Sequence, residues 1–434
     1  MAALVRPPGP VVVTGPTTDL CYPSTGARPA TRDARPLEKG VVMPEALAEL
    51  AKDLAFSNSE YQDRCRRLRH LMRDARLDVM LVHQPPSVFY FSGNENLHVY
   101  DNECVVVPAE GEISLLVPHA DLSRAHLTSW LPRVFSFPPG GNPAQILARI
   151  LEEQGLSHAR IGVEKRVARA ACLSVHVYEG LLAALPRATF VDASGLPERV
   201  KVVKSPQEVT YLRQAASFTD AGMRAALQTA AEGRTDNDVA AAAYQAMIAA
   251  GSDFLSIPAI VNSGRYTGIS HSTHKRQRLQ RGDVLFLELG GCYQRYSAPC
   301  MRSAAIGPPT DDARRLAEGC LAALGEMHAI MRPGVTFDEV ARAGARGVAR
   351  AGSGVDWGGD CGYPVGAGFP PHWGEYSCQI RLGDGTVLQP GMVFHQPIAL
   401  RILGKLGVAF SETVLITETG SEALTRVERQ LVVR

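Results

Sequence analysis

The segment Gly233-Arg-Thr-Asp-Asn-Asp-Val239 returns further along the chain as Gly334-Val-Thr-Phe-Asp-Glu-Val340. Each copy is a glycine turn, a threonine placed to cap, and an acidic third helical residue ahead of an Ala-rich stretch, which is the arrangement that satisfies the free amides at a helix start. An element echoed in this way predicts an internally duplicated domain. The same domain opens at Lys204-Ser205-Pro206-Gln207-Glu208. There Ser205 can cap, Pro206 suits the first helical position and Glu208 completes a capping box, so a long helix is expected to about residue 231.

A second unit precedes it. From Ser57 onward Tyr61, Cys65, Leu68 and Met72 recur at helical spacing beneath an Arg-rich face. Strand-like runs follow at 79–82, 104–107, 113–117 and 161–163, with helical stretches at 144–154 and 171–182. This alternation predicts an α/β N-terminal domain over 57–200, followed by a C-terminal domain over 204–434. Residues 1–42 hold prolines at 7, 8, 10, 16, 23, 29 and 36 among Gly, Thr and Arg. Such a segment cannot offset its ordering entropy by burial and is read as a disordered leader.

Lys and Arg number 45 against 44 Asp and Glu, and no run of like charge is long enough to track a phosphate backbone or a lipid surface. Nucleic acid and membrane are therefore excluded as expected partners. The nine cysteines form no CxxC pair, which reads as reduced thiols in a cytoplasmic protein rather than a disulfide framework. No apolar stretch approaches the roughly 20 residues of a membrane span.

Several ordered motifs over 57–434 resemble the creatinase, prolidase and methionine aminopeptidase superfamily. Ser263-Gly264 with His271 is similar to its SG...pH signature, and Gly282-Asp283 through Glu288 to its GDxxxxD strand. Tyr296 and Arg302 resemble the strand that follows, Gly391-Met-Val-Phe394 the GMVF turn, and Ser411-Glu412-Thr413 through Gly420 the closing segment. The resemblance implies a small creatinase-like α/β domain followed by a pita-bread α+β domain, and a homodimer.

Peptidases of that superfamily hold two metal ions with two Asp, one His and two Glu, because hard cations sharing a water need bridging carboxylates. On this sequence the resemblance places Glu288 and Pro299 at the two Asp positions, Tyr363 at the His position, Gln396 or Pro397 at the first Glu, and Glu412 at the second. Two carboxylates and a proline cannot form such a centre, so no metal and no other cofactor is expected. The run from Gly362 to Glu375, with Tyr296-Ser-Ala-Pro299 and Phe394-His395, resembles the branch of creatinase and ectoine hydrolase, which cleaves C–N bonds without metal. Departures from that branch stand at His372 and at Tyr376-Ser377.

A hydrolase of that kind needs a group to activate water, one to protonate the leaving nitrogen, and fixed charges to hold the substrate. His271 is the candidate for proton transfer, since an ordinary histidine titrates close to neutrality. Glu288, at the mouth of a strand, could act as base or as nucleophile. The bland alternative for it is an ion pair with Arg302. Glu412 could hold a cationic group, with pairing to a neighbouring Arg or Lys as the alternative. Glu375, Tyr363, His395, His274, Trp373 and Tyr90 are the candidates for substrate binding, with plain packing as the alternative for Trp373 and Tyr363. The expected function is metal-independent hydrolysis of a C–N bond in a small zwitterionic or cyclic molecule. A non-catalytic pita-bread binding module and an Xaa-Pro metallopeptidase are the competing readings.

Overall fold

A computed structural model of the chain describes residues 51–97, 102–165, 173–375 and 378–434. The expected leader at 1–42 and the Tyr376-Ser377 pair lie outside the described residues. The N-terminal domain begins with helix α1 (Asn58–Asp74), whose cap Ser57 accepts the Glu60 amide. Its sheet runs in the order β4-β3-β2-β1-β5-β6, with β1 (Val79–Val82), β2 (Cys104–Pro108), β3 (Ser114–Pro118), β4 (Arg133–Phe137), β5 (Arg160–Val163) and β6 (Thr189–Asp192). Strands β1, β5 and β6 pair in parallel. Helices α2 (Pro85–Ser92), α3 (Leu122–Thr128), α4 (Pro143–Glu153), α5 (Val175–Ala184) and α6 (Leu196–Lys201) connect them. The β1 run is buried throughout, as a strand covered on both faces must be.

The C-terminal domain starts where the Ser205 capping box forms, at α7 (Pro206–Thr229). It continues through α8 (Asp236–Ala249), β7 (Ile260–Ser263), β8 (Val284–Tyr293) and β9 (Tyr296–Ala305). Then come α9 (Asp311–Ile330), α10 (Phe337–Val348), β10 (Tyr363–Phe369), β11 (His372–Gly374), β12 (Val393–Ile402), β13 (Leu406–Ile416), β14 (Ser421–Ala423) and β15 (Val432–Val433). Thr235 with Asp238 and Thr336 with Glu339 both form capping boxes. The echo extends to the backbone. Gly233 donates to Leu279 O and Leu279 to Arg234 O, while Gly334 donates to Leu388 O and Leu388 to Val335 O. The duplicated motif is thus a device that ties the start of a helix to a distant strand lead, used twice.

A single sheet of order β14-β13-β12-β10-β9-β8-β7 is covered by helices on one face. Strand alternation decides what each face carries. From β8, Leu285, Leu287 and Leu289 pack with Met223, Val239 and Met247 of α7 and α8. Phe394, Ile398, Phe410 and Val414 of β12 and β13 pack with Leu316, Leu324, Phe337 and Val340 of α9 and α10. Their sequence neighbours turn to the opposite face, where Phe286, Met301 and Ala409 meet with Ile260 and Ala399 around them. No described helix is long and apolar enough to cross a membrane.

Candidate active site

The face opposite the helices holds Glu288. Its partner positions are Ile260 on β7 and Met301 on β9. The residue is only 9% exposed, and burial pushes its carboxyl up to about 7, with Arg401 opposing. The alternative of an ion pair with Arg302 fails on phase. Arg302 pairs with Leu287, one residue out of step, and points to the helix face. None of the described cations comes within ion-pair distance of Glu288, so its proton is governed mainly by burial.

Beside Glu288 on this face the strands present Gly290 and Pro299, then His395, Pro397, Ala399 and Arg401 from β12, and Ala409, Ser411 and Thr413 from β13. A buried hydrogen-bond chain crosses it. Ser411 Oγ accepts from the Met301 amide at 2.6 Å and lies 2.7 Å from His395 Nε2. His395 Nδ1 is 2.7 Å from Tyr363 Oη, which in turn accepts from Trp373 Nε1 at 3.0 Å. Burial pushes His395 down to about 3, so the ring is neutral at pH 7. Trp373 packs closely on β8 where position 290 is glycine; a Cβ there would stand 2.7 Å from the indole.

Strand phase also corrects the expectation for Glu412. Gln396 pairs with Glu412, and Pro397 with Ser411. The first pair faces the helices. Gln396 is held by His328, at 2.7 Å, and by Met331. Glu412 accepts from Arg302 Nη2 at 2.8 Å and from Thr425, with Arg429 at 3.6 Å. Its charge neutralises a buried arginine instead of meeting a ligand. The second pair, on the Glu288 face, consists of a proline and a serine.

The remaining expected residues divide in the same way. Glu375 is buried in an ion pair with Lys204, Nζ to Oε2 2.9 Å. Tyr90 is buried in the N-terminal domain, its hydroxyl accepting from Arg67 and its ring 4.0 Å from the Arg64 guanidinium. Tyr363, His395 and Trp373 belong to the chain just described. His271 is exposed in the β7–β8 connection at φ 55° and is not a member of the Ser411–His395–Tyr363–Trp373 chain on that face. His274 is 3.0 Å from Thr273 Oγ1 in the same connection. Sequence motifs missed Ser411 and Arg401, although counting alternate residues from His395 and from Thr413 reaches both.

Removing one partner of the Lys204–Glu375 pair leaves a buried charge uncompensated. Lys204→Met is therefore expected to cost about 3 kcal/mol in urea unfolding, whereas the Lys204→Met/Glu375→Gln double variant should recover most of it.

Residues 210–418 match the metallopeptidase family M24 and residues 64–203 the creatinase/prolidase N-terminal domain. An ectoine hydrolase of Halomonas elongata is 30% identical over 401 residues, covering 88% of this chain and 99% of the relative. The chain belongs to family M24. An Xaa-Pro dipeptidase of Pyrococcus furiosus is also similar, at 26% identity over 373 residues, 86% of this chain and 100% of that one. The prolidase structure from Pyrococcus horikoshii superposes with a TM-score of 0.74 at 24% identity, over 85% of this chain and 100% of that chain.

The metal centre implied by the family name can be tested against the donors present. Around Glu288 the family positions carry Pro299, Tyr363, Pro397 and Ser411. Prolines offer no side-chain donor, and neutral hydroxyls cannot replace bridging carboxylates. Among the described residues no group of three or more His, Cys, Asp or Glu is placed to hold an ion. This face does not fit a dinuclear centre.

Proposed function

We propose that this M24 hydrolase cleaves a C–N bond in a small amidine, guanidino or lactam-like molecule without a metal ion, with Glu288 carrying the proton. The observation behind this reading is the state of Glu288. A carboxyl raised to about 7 is half ionised at neutral pH, where a group that must both take and give a proton is most effective. Ionised Glu288 accepts a proton from water as the oxygen adds to the amidine or carbonyl carbon. The resulting acid returns that proton to the departing nitrogen, and the C–N bond breaks. Tyr363 and the neutral His395 ring offer polar contacts beside the position that holds metal in the family's peptidases, and His271 is the candidate for shuttling protons from solvent. The ectoine hydrolase relative supports this substrate class.

The dipeptidase relatives support a second reading, peptide hydrolysis with added metal. The two separate in one assay. Protein stripped by exhaustive chelation is expected to turn over a cyclic amidine or guanidino acid at a rate unchanged by Mn²⁺ or Co²⁺. Activity confined to Xaa-Pro peptides in the presence of added metal would overturn the proposal.

A further inference from the structure

Arg401 stands on the Glu288 face at the hairpin end of β12. Its backbone is fixed from two sides, by its register pair with Gly407 and by hydrogen bonds of 3.0 and 2.7 Å exchanged with Asp356. Its stem lies across Gly407, where a Cβ would meet Arg401 Cγ at 3.2 Å, and the guanidinium is 5.7 Å from the Phe286 ring centre. The head group is thus carried on an ordered backbone and a packed stem.

Apart from its approach to the Phe286 ring, the head group makes no hydrogen bond or ion pair with any described residue. Nε is buried without a hydrogen-bond partner, and none of the described carboxylates comes within 4.0 Å of the guanidinium. Glu288 and Asp356 act on it only at longer range. The fully buried arginines differ at their terminal nitrogens, although Arg295 Nε also lacks a hydrogen-bond partner. Arg302 donates to four backbone carbonyls and to Glu412, and Arg295 donates to Phe254 O, Gly368 O and Ser256. The terminal nitrogens of Arg401 are neither buried nor hydrogen-bonded to any described residue, so the planar fork is open to a carboxylate, whose geometry it matches.

We propose that Arg401 anchors a carboxylate carried by the substrate, with the scissile C–N group directed toward Glu288. The direction toward Glu288 rests on the proposed function; the anchor rests on Arg401 alone. Two groups on one face, within electrostatic reach yet beyond ion-pair contact, suit a small zwitterion whose carboxylate and amidine or amide lie a few bonds apart. Their arrangement selects against the neutral amide of the same molecule, which would leave the arginine unmatched.

The test is calorimetric binding to the full-length protein with three carboxylate probes, ectoine, creatine and glycyl-proline, each beside its carboxamide. At least one carboxylate is expected to bind the native protein roughly 10- to 100-fold tighter than its carboxamide. Arg401→Gln should erase that preference and Arg401→Lys should retain part of it, with thermal unfolding unchanged in both. For any probe turned over, Arg401→Gln should raise KM by a similar factor and leave kcat within a few-fold. The anchor is overturned if none of the carboxylates binds the native protein, or if Arg401→Gln keeps the preference. Glu288→Gln separates the two ideas. Loss of turnover with the preference intact supports both, whereas retained turnover removes the role of Glu288 and leaves the anchor standing.

Discussion

Glu288→Gln is expected to lower kcat on the small C–N substrate by about three orders of magnitude, the scale of a positioned acid–base group. Glutamine keeps the shape of the side chain and removes its proton chemistry. In the native protein, kcat/KM should rise with pH through the region near 7, because water activation needs the ionised carboxylate and its pKa is raised to about 7. A variant with native rates would assign the proton transfer elsewhere, with His271 the next group to replace.

The same group makes a stability prediction of definite sign. The folded-state pKa of Glu288 lies above its ordinary value of 4.5, so the folded chain holds a proton that the unfolded chain has already released between pH 4.5 and 7. Glu288 therefore costs stability as pH rises through that window, and the cost is complete above 7. At 1.36 kcal/mol per pH unit the ceiling is about 3 kcal/mol, the opposing Arg401 charge having already drawn the folded-state pKa down to about 7. Glu288→Gln should accordingly be more stable than the native protein at pH 8 in urea and not at pH 4. A stabilised but inactive variant is the signature of a carboxyl kept for function, because nothing in the packing of β8 requires it.

How much of this was legible in the sequence follows from which physical rule governs each feature. Capping at Ser205, Thr235 and Thr336 is local chemistry, and each box forms at the expected residue. The order of motifs carried the fold for the same reason, since turns and caps are written in consecutive residues. The site is governed by strand phase, in which one residue reverses the face. Reading Glu412 as a ligand-facing carboxylate amounted to a slip of one position, and only its register with Gln396, and that of Ser411 with Pro397, reveals it. The partners of Glu375 and Tyr90, Lys204 and Arg67, lie 171 and 23 residues away in the chain, and no local pattern announces such pairs.

Glu412→Ala is expected to destabilise the protein by about 3 to 5 kcal/mol, the largest single stability effect among these substitutions. It would leave the Arg302 guanidinium, 1% exposed, with four carbonyl acceptors and no nearby anion to balance its charge apart from more distant Asp220. Arg302 joins β9 to Ser411 O of β13 and to the segment at 427–428, so the loss would be felt by both halves of the sheet. The ion pair is nonetheless a poor source of net stability. Burial still holds the Glu412 carboxyl above its ordinary range despite Arg302 and Arg429, showing that desolvation outweighs the attraction. Replacing both partners by apolar groups, Arg302→Met with Glu412→Leu, should therefore restore most of what Glu412→Ala loses, and a double-mutant cycle in urea measures the coupling. The activity of the isosteric Glu412→Gln variant then decides where the residue acts. It keeps hydrogen-bonding capacity toward Arg302 and Thr425, so a residue on the helix face should leave kcat within a few-fold. A thousandfold loss in a folded Glu412→Gln protein would instead return Glu412 to the catalytic face and refute the strand phase on which the site is built.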